Sequence, residues 1–304
     1  MILLDPRNYP KLKEPLTKVE INYLFAQTVI EQKMDGEIYV DDLEQPSSFY
    51  VKHSYGMALL FGKTDNERFN QSLVKYLLNE EGKRVAGEWL QVFPEDWNDR
   101  LNELLGHKIQ EFSKNMPKTN PENNTNVIRS VRVNFQFNRE KYTPVKPNTA
   151  SNLRLVQTDA NLFSEVKGTV VPDKFWRNGN EFANIGTGFT LMHEREPVST
   201  AFTSFVHEPK LELGIETIKK FQGKGLARYT CSALIDYCLE NNFEPVWACR
   251  LENTGSFRLA QKLGFEPVRN LPYYQLPFKN SQKTDQKANS SWSSLVGLYY
   301  FYKI

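Results

Sequence analysis

Two glycines one residue apart stand at the mouth of a helical pattern in KFQGKGLARYT (220–230). Upstream, KLELGIETI (210–218) alternates as a strand does, and downstream Leu226, Thr230, Leu234 and Cys238 mark one face of a helix. Glycine is the poorest helix former after proline, so neither Gly223 nor Gly225 is there to start the helix. A strand, a glycine turn and a helix in that order expose N–H groups that have no intrahelical partner, at the positive end of the helix dipole. One reading is an anion cradle: the glycines let a diphosphate approach where a Cβ would collide, and Lys224 adds a cation. The other is a tight turn that packs helix on sheet and holds nothing. The residues of the turn leave both open.

The rest of the chain continues the alternation of elements. In the C-terminal half, NLRLVQ (152–157) reads as a strand and TDANLFSEV (158–166) as a helix opened by a Thr-Asp cap. GFTLMHE (188–194) and STAFTSFVHE (199–208) read as a hairpin, and PVWACRL (245–251) as a short buried strand. NTGSFRLAQKLGF (253–265) is a helix closed by Gly264, and FEPVRNLPYYQLPF (265–278) a returning strand. The N-terminal half predicts strands at 36–42 and 48–63, a helix at 66–81 with Phe69, Leu73, Tyr76 and Leu77 in one stripe, a strand at 86–94 and a helix at 95–106. Both halves therefore share a strand–helix–strand–helix order, but the matching turn of the first, GKTDNERFN (62–70), lacks a second glycine. Polar, proline-bearing breaks at 115–126 and 141–152 divide the chain into an N-terminal α/β domain over 1–140, a linker over 141–151 and a second domain over 152–278. A polar run and an apolar, aromatic segment occupy 279–304.

Composition narrows the partners. A net charge of +2 over 304 residues gives no field that points to nucleic acid. The three cysteines, Cys231, Cys238 and Cys249, have no metal-type spacing, and the four histidines are scattered, so no metal site is expected and a reduced, cytoplasmic setting is. Charges and prolines come too early for a signal peptide, and no run approaches the ~18 apolar residues of a membrane span.

Known phosphate loops can be tested against the turn. A GxGxxG motif would need glycine where Arg228 stands, and GxxxxGK[ST] is absent. What fits is Gln222-x-x-Gly225-x-Ala227, which resembles the acyl-CoA loop of the GNAT superfamily of N-acetyltransferases. A second stretch is similar to the same family: PVWACRLEN, then Ser256, Leu259 and Ala260, then Lys262-Leu263-Gly264-Phe265. Glu216-Thr217 followed by GKGLA, with SFRLA before the last motif, further resembles the branch that includes the zwittermicin A resistance acetyltransferase. The resemblance covers 152–278. It implies an α/β fold of mixed, mostly antiparallel sheet flanked by helices; the element order shared by the two halves adds the expectation that the N-terminal domain is a degenerate copy that has lost the pyrophosphate loop and helps shape the acceptor cleft. It also implies acetyl-CoA as co-substrate. By position, the backbone of Gln222, Gly223, Lys224, Gly225, Leu226 and Ala227 would cradle the pyrophosphate. Thr217 and Ile218 would bond the pantetheine amides as an added strand does, and Asn253 and Ser256 would contact the pantetheine arm.

Acetyl transfer to an amine needs the amine neutral, and alkyl amines hold their proton to a pKa of ~10. A base must remove it. Glu212 and Glu216 alternate onto one strand face, with Gly214 between them leaving space for a substrate; a solvated face is the competing reading. His207 is a lesser candidate. In the family a Tyr general acid commonly follows the Leu of the last helix, but this chain has Ala260 there, so the thiolate proton must come from Tyr273, Tyr274 or water. The expectation is an acetyl-CoA-dependent N-acetyltransferase in which a primary amine, of a small molecule or an antibiotic, attacks the thioester directly. The alternative is a GNAT fold that binds acyl-CoA as a sensor or scaffold without turnover.

Overall fold

The computed structural model describes residues 1–114, 125–146 and 152–279. The polar break at 115–124, part of the expected linker (147–151) and the C-terminal segment from 280 onward lie outside the described residues. The chain gathers into two units, Met1–Arg132 with the strand end that starts at Leu271, and Val133–Asn270. The divisions fall inside two strands, each of which runs from one unit into the other, rather than in the 141–151 stretch.

The first unit runs β1 (Ile2–Leu3), α1 (Lys13–Leu16), α2 (Leu24–Ile30), β2 (Gly36–Val40), β3 (Ser48–His53), β4 (Met57–Gly62), α3 (Glu67–Leu77), β5 (Glu88–Phe93), α4 (Asp96–Leu105), β6 (Ile109–Glu111) and the start of β7 (Val127–Phe137). Strands β1 to β5 lie in sequence order, antiparallel except that β4 and β5 run parallel. The expected strand at 48–63 is a hairpin broken at Gly56, whose φ of +94° is open to glycine. Alternate residues Tyr50, Ala58, Leu60, Leu90 and Val92 turn to the same core as Phe69, Leu73 and Leu77 of α3 and Trp97, Leu101 and Leu105 of α4. Under them Glu88 accepts from the hydroxyls of Tyr50 and Tyr76 and from Arg84 Nε, a buried and fully bonded group.

The second unit takes the rest of β7 and adds β8 (Leu153–Gln157), α5 (Ala160–Glu165), α6 (Gly179–Ile185), β9 (Gly188–His193), β10 (Glu196–His207), β11 (Lys210–Thr217), α7 (Leu226–Glu240), β12 (Glu244–Arg250), α8 (Thr254–Lys262) and the start of β13 (Phe265–Leu276). Here β8 to β12 again lie in sequence order, antiparallel except for the parallel pair β11 and β12. Of the sheet pairings, most are antiparallel, as expected. Leu226, Leu234 and Cys238 of α7 are buried as the stripe predicted. The three cysteines are buried thiols, and burial pushes the Cys238 thiol up to about 12, so none is poised as a nucleophile. Among the described residues no helix is long and apolar enough to cross a membrane, and no three His, Cys, Asp or Glu side chains gather as metal ligands.

Each unit repeats one element order: strand, two helices, three strands, helix, strand, helix. The units differ in how firmly the parallel pair is closed, and that difference builds the site.

Candidate active site

In the second unit β11 and β12 are in register over three residue pairs only, Lys210–Glu212 against Glu244–Val246. Both strands continue, β11 to Thr217 and β12 to Arg250, but no longer pair. From Leu213 onward β11 therefore presents an open edge. Strand geometry decides which groups lie on it. Ile218 donates its N–H to Val198 O, and so faces β10. Because N–H and C=O groups alternate sides along a strand, those of Leu213, Ile215 and Thr217 turn to the open edge. Of the two residues expected to pair with a pantetheine arm, Thr217 is thus turned toward the edge and Ile218 is not. Leu213 and Ile215 were not legible in the sequence, since only the β10 register reveals them.

The open edge leads straight into the glycine turn. Gly223 and Gly225 both have φ of +76°, the left-handed region. A Cβ on either would meet nothing within 4 Å. Conformation rather than crowding is what calls for glycine here: an L residue held left-handed costs roughly 1–2 kcal/mol. The other helices of this unit are each capped by a side chain, α5 by Asp159, α6 by Asn178 and α8 by Asn253. The cap of α7 is Gly225, which has no side chain to offer. The N–H groups of the first turn, at Leu226 and Ala227, are left for an outside acceptor. Gln222 bends back and donates from Nε2 to Thr217 O at 2.9 Å, tying the turn to the strand end. Lys224 and Lys220 both rest their ammonium groups over the Phe221 ring, at 4.7 and 5.3 Å from its centre, so cations flank the turn.

Asn253 Oδ1 accepts the N–H of Ser256 at 3.0 Å as the cap of α8, and Ser256 Oγ accepts from Trp247 Nε1 at 3.2 Å. Both are thus engaged in holding α8 against β12. Ala260 is fully buried, which leaves no hydroxyl at the position of the family tyrosine. The suggested replacements belong to the first unit: the Tyr274 hydroxyl donates to Asn98 Oδ1 and Tyr273 stacks on Trp89.

The two candidate carboxylates alternate onto one face of β11, with Gly214 between them, but differ in setting. Glu212 is 5% exposed and sits at the last pair before the strands separate, opposite Phe205 and Val246. Glu216 is half-buried, and its Oε2 accepts from Thr169 N at 2.8 Å, Thr169 Oγ1 at 3.2 Å and Val170 N at 3.0 Å. Gly214 leaves no substrate space, contrary to expectation. A Cβ there would lie 2.5 Å from the Phe202 ring, which already fills the gap. His207 ends β10 beside the turn to β11.

The first unit lacks both features. Its β4 and β5 pair over five residues, Met57–Phe61 with Trp89–Phe93, so the equivalent edge is closed to the strand ends. The N-terminus of α3 is capped by Asn66 Oδ1, which accepts Phe69 N at 3.0 Å.

Comparison with known proteins says which family this fold belongs to. A family model described as GNAT acetyltransferase matches residues 15–274, and so takes in the N-terminal half as well as the second unit. The chain belongs to the GNAT acetyltransferase family. It is 25% identical over 273 residues to the uncharacterized N-acetyltransferase YdfB of Bacillus subtilis, covering 89% of this chain and 97% of that one. Among solved structures, a GCN5-related N-acetyltransferase-like protein from Streptococcus suis is 20% identical with a TM-score of 0.62, covering 90% of this chain and all of that one. A tandem GNAT protein from the clavulanic acid biosynthesis pathway has a TM-score of 0.54 at 10% identity, covering 91% and 97%. These likenesses support the mixed, mostly antiparallel GNAT fold, and the family makes the chain an N-acetyltransferase.

Proposed function

We propose that this GNAT protein transfers an acetyl group from acetyl-CoA to a primary amine, by direct attack of the amine on the thioester, and that the second unit carries the chemistry. The observation that supports this most is the open β11 edge running into the uncapped α7. Backbone groups of Leu213, Ile215 and Thr217 offer an amide-bearing arm the hydrogen bonds of an added strand. Gly223 to Ala227 offer a pyrophosphate the N–H groups and dipole of a helix start, with Lys224 beside them. Acetyl-CoA, when bound, supplies an activated carbonyl. Glu212, at the apex of the notch, takes the ammonium proton so that the amine can attack. The thiolate is protonated by solvent, since the buried Ala260 offers nothing. Asn253 and Ser256 act by fixing the start of α8 rather than through direct contact. The first unit, closed and capped, is a degenerate copy that holds no CoA; the chain's likeness in fold to a tandem GNAT protein supports reading the two units as copies.

The finer likeness to the zwittermicin A resistance branch makes amine-bearing antibiotics the first acceptors to screen. We place the activity in the cytoplasm, on small molecules rather than nucleic acid or membrane, from the near-neutral charge and the reduced cysteines.

Titration with acetyl-CoA by calorimetry, beside a Gly225→Glu variant, tests the binding site. Micromolar binding that the variant abolishes while still folded supports the cradle; no binding to either protein rejects the reading. The buried Ala260 favours a second reading, an acyl-CoA binder without turnover. Glu212→Gln separates the two: an enzyme loses about 100-fold or more in rate at unchanged acetyl-CoA affinity, whereas a binder has no rate to lose.

A further inference from the structure

We propose that Glu216 is not a base but the latch of an acceptor-side flap, the segment 166–178 between α5 and α6, so that it decides which amines reach the thioester. This deepens the acetyltransferase reading and rests on it.

Three observations converge on the carboxylate. Its Oε2 gathers two backbone N–H groups and one hydroxyl, all from Thr169 and Val170. Charge-assisted bonds of this kind are about twice as strong as neutral ones. Oε2, with three donors, has no lone pair left for an incoming ammonium; Oε1 takes no part in these bonds, so a glutamine variant is what separates latch from base. Second, Gly168 has a φ of +151°, and a Cβ on it would lie 2.4–2.5 Å from Glu216 Cγ, Cδ and Oε2. The backbone thus comes down onto the carboxylate so closely that any side chain at 168 would push the carboxylate aside. Third, the flap is seated again further along. Trp176 Nε1 donates to Thr203 O at 2.7 Å, and Phe175 packs edge-on against Phe202 and Phe205. Phe202 is the ring that occupies the space beside Gly214.

The flap therefore crosses the Glu212–Gly214–Glu216 face of β11, fixed by aromatics on β10 and by the Glu216 carboxylate near the mouth of the notch. The aromatic seat is buried, while the Glu216 end is half-exposed. The geometry assigns the carboxylate a positioning role: an acceptor approaching Glu212 from this side meets a loop whose place Glu216 sets. A glutamine can do the same, because its amide oxygen accepts the same two backbone N–H groups, but it cannot act as a base. An alanine can do neither.

That difference gives the test. Amide hydrogen exchange at Thr169 and Val170, acetyl-CoA affinity by calorimetry, and steady-state kinetics with n-butylamine, putrescine and an aminoglycoside as acceptor probes are measured for the full chain, Glu216→Gln, Glu216→Ala and Gly168→Ala. The latch predicts that Glu216→Gln keeps the two amides protected and kcat within about threefold. Glu216→Ala speeds their exchange about tenfold or more, as loss of charged hydrogen bonds requires, and raises acceptor KM with acetyl-CoA affinity unchanged. Gly168→Ala, which keeps the carboxylate but pushes it off the two amides, shifts both readouts in the same direction. Loss of turnover in Glu216→Gln with protection intact overturns the proposal in favour of a base. Unchanged exchange in Glu216→Ala overturns it outright. Should the wild type bind no acetyl-CoA, the acetyltransferase reading fails, yet the exchange measurement still decides whether Glu216 holds the flap.

Discussion

His53 sets an acid limit on the first unit. It ends β3, is fully buried, and accepts the N–H of Tyr55 on Nδ1 at 3.0 Å. Burial pushes its imidazole down from 6.5 to about 4, with the charge of Asp35 opposing the shift. Between those values the folded chain keeps the ring neutral while the unfolded chain protonates it. The unfolded state then binds more protons, so stability is fully present above the unfolded value and is lost as pH falls toward the folded one. At about 1.4 kcal/mol per unit, the loss between about pH 7.5 and about pH 5 comes to about 2 kcal/mol, rising to about 3 kcal/mol near pH 4. Against a typical total of about 5–15 kcal/mol this is a large share. His53→Asn removes the titration and keeps an acceptor for the Tyr55 N–H, since asparagine readily bonds the backbone two residues on. Urea unfolding of both proteins across that range isolates the effect, because every other titrating group is common to the two. Wild type should lose about 2 kcal/mol more than the variant. Equal losses would refute burial of a neutral imidazole.

Three further outcomes follow from named contacts. Glu88→Ala strands the buried Arg84 guanidinium, and should cost about 3 kcal/mol or more in urea unfolding; Arg84→Met combined with Glu88→Leu should recover much of it. Gly264→Ala should destabilise more than Gly223→Ala, although both are left-handed. A Cβ at 264 lies 2.9 Å from Asn138 O and 3.0 Å from Tyr142 N, while at 223 it meets nothing, where the cost is roughly 1 kcal/mol. Calorimetry with acetyl-CoA should give one site per chain, and two sites would contradict the closed edge of the first unit.

The sequence was most readable where local chemistry dictates local shape. The GKG turn required left-handed residues, and both glycines have φ of +76°. The α3 stripe buries Phe69, Leu73 and Leu77, and Gly264 follows α8 with φ of +84°. It was least readable where the signal depends on a partner. The helix α2, LFAQTVI, buries six of its seven residues, so it has no polar side from which a period can be read. Gly214 looked like room for a substrate because its cross-strand neighbour, Phe202, lies outside any local window. Glu216 looked like a base for the same reason, its three donors coming from 46 and 47 residues away.

On the proposed reading, the two units together say what a GNAT fold needs in order to hold a CoA. Element order is not enough, since both units have it. A register of five pairs closes β4 onto β5, and an asparagine cap closes α3. A register of three pairs opens β11, and a glycine cap leaves α7 open. These are independent features, one set by strand divergence and the other by a single residue type, and they occur together or are absent together. Packing alone gives no reason for that coupling: a strand pair gains hydrogen bonds by closing, and a helix gains about 1 kcal/mol by taking an asparagine cap. The second unit forgoes both gains at the same place. A ligand that pairs with a strand edge at one end and carries an anion at the other restores both sets of bonds at once. The glycine turn at 223–225 is therefore better explained as one end of an extended binding track than as a turn that merely joins strand to helix.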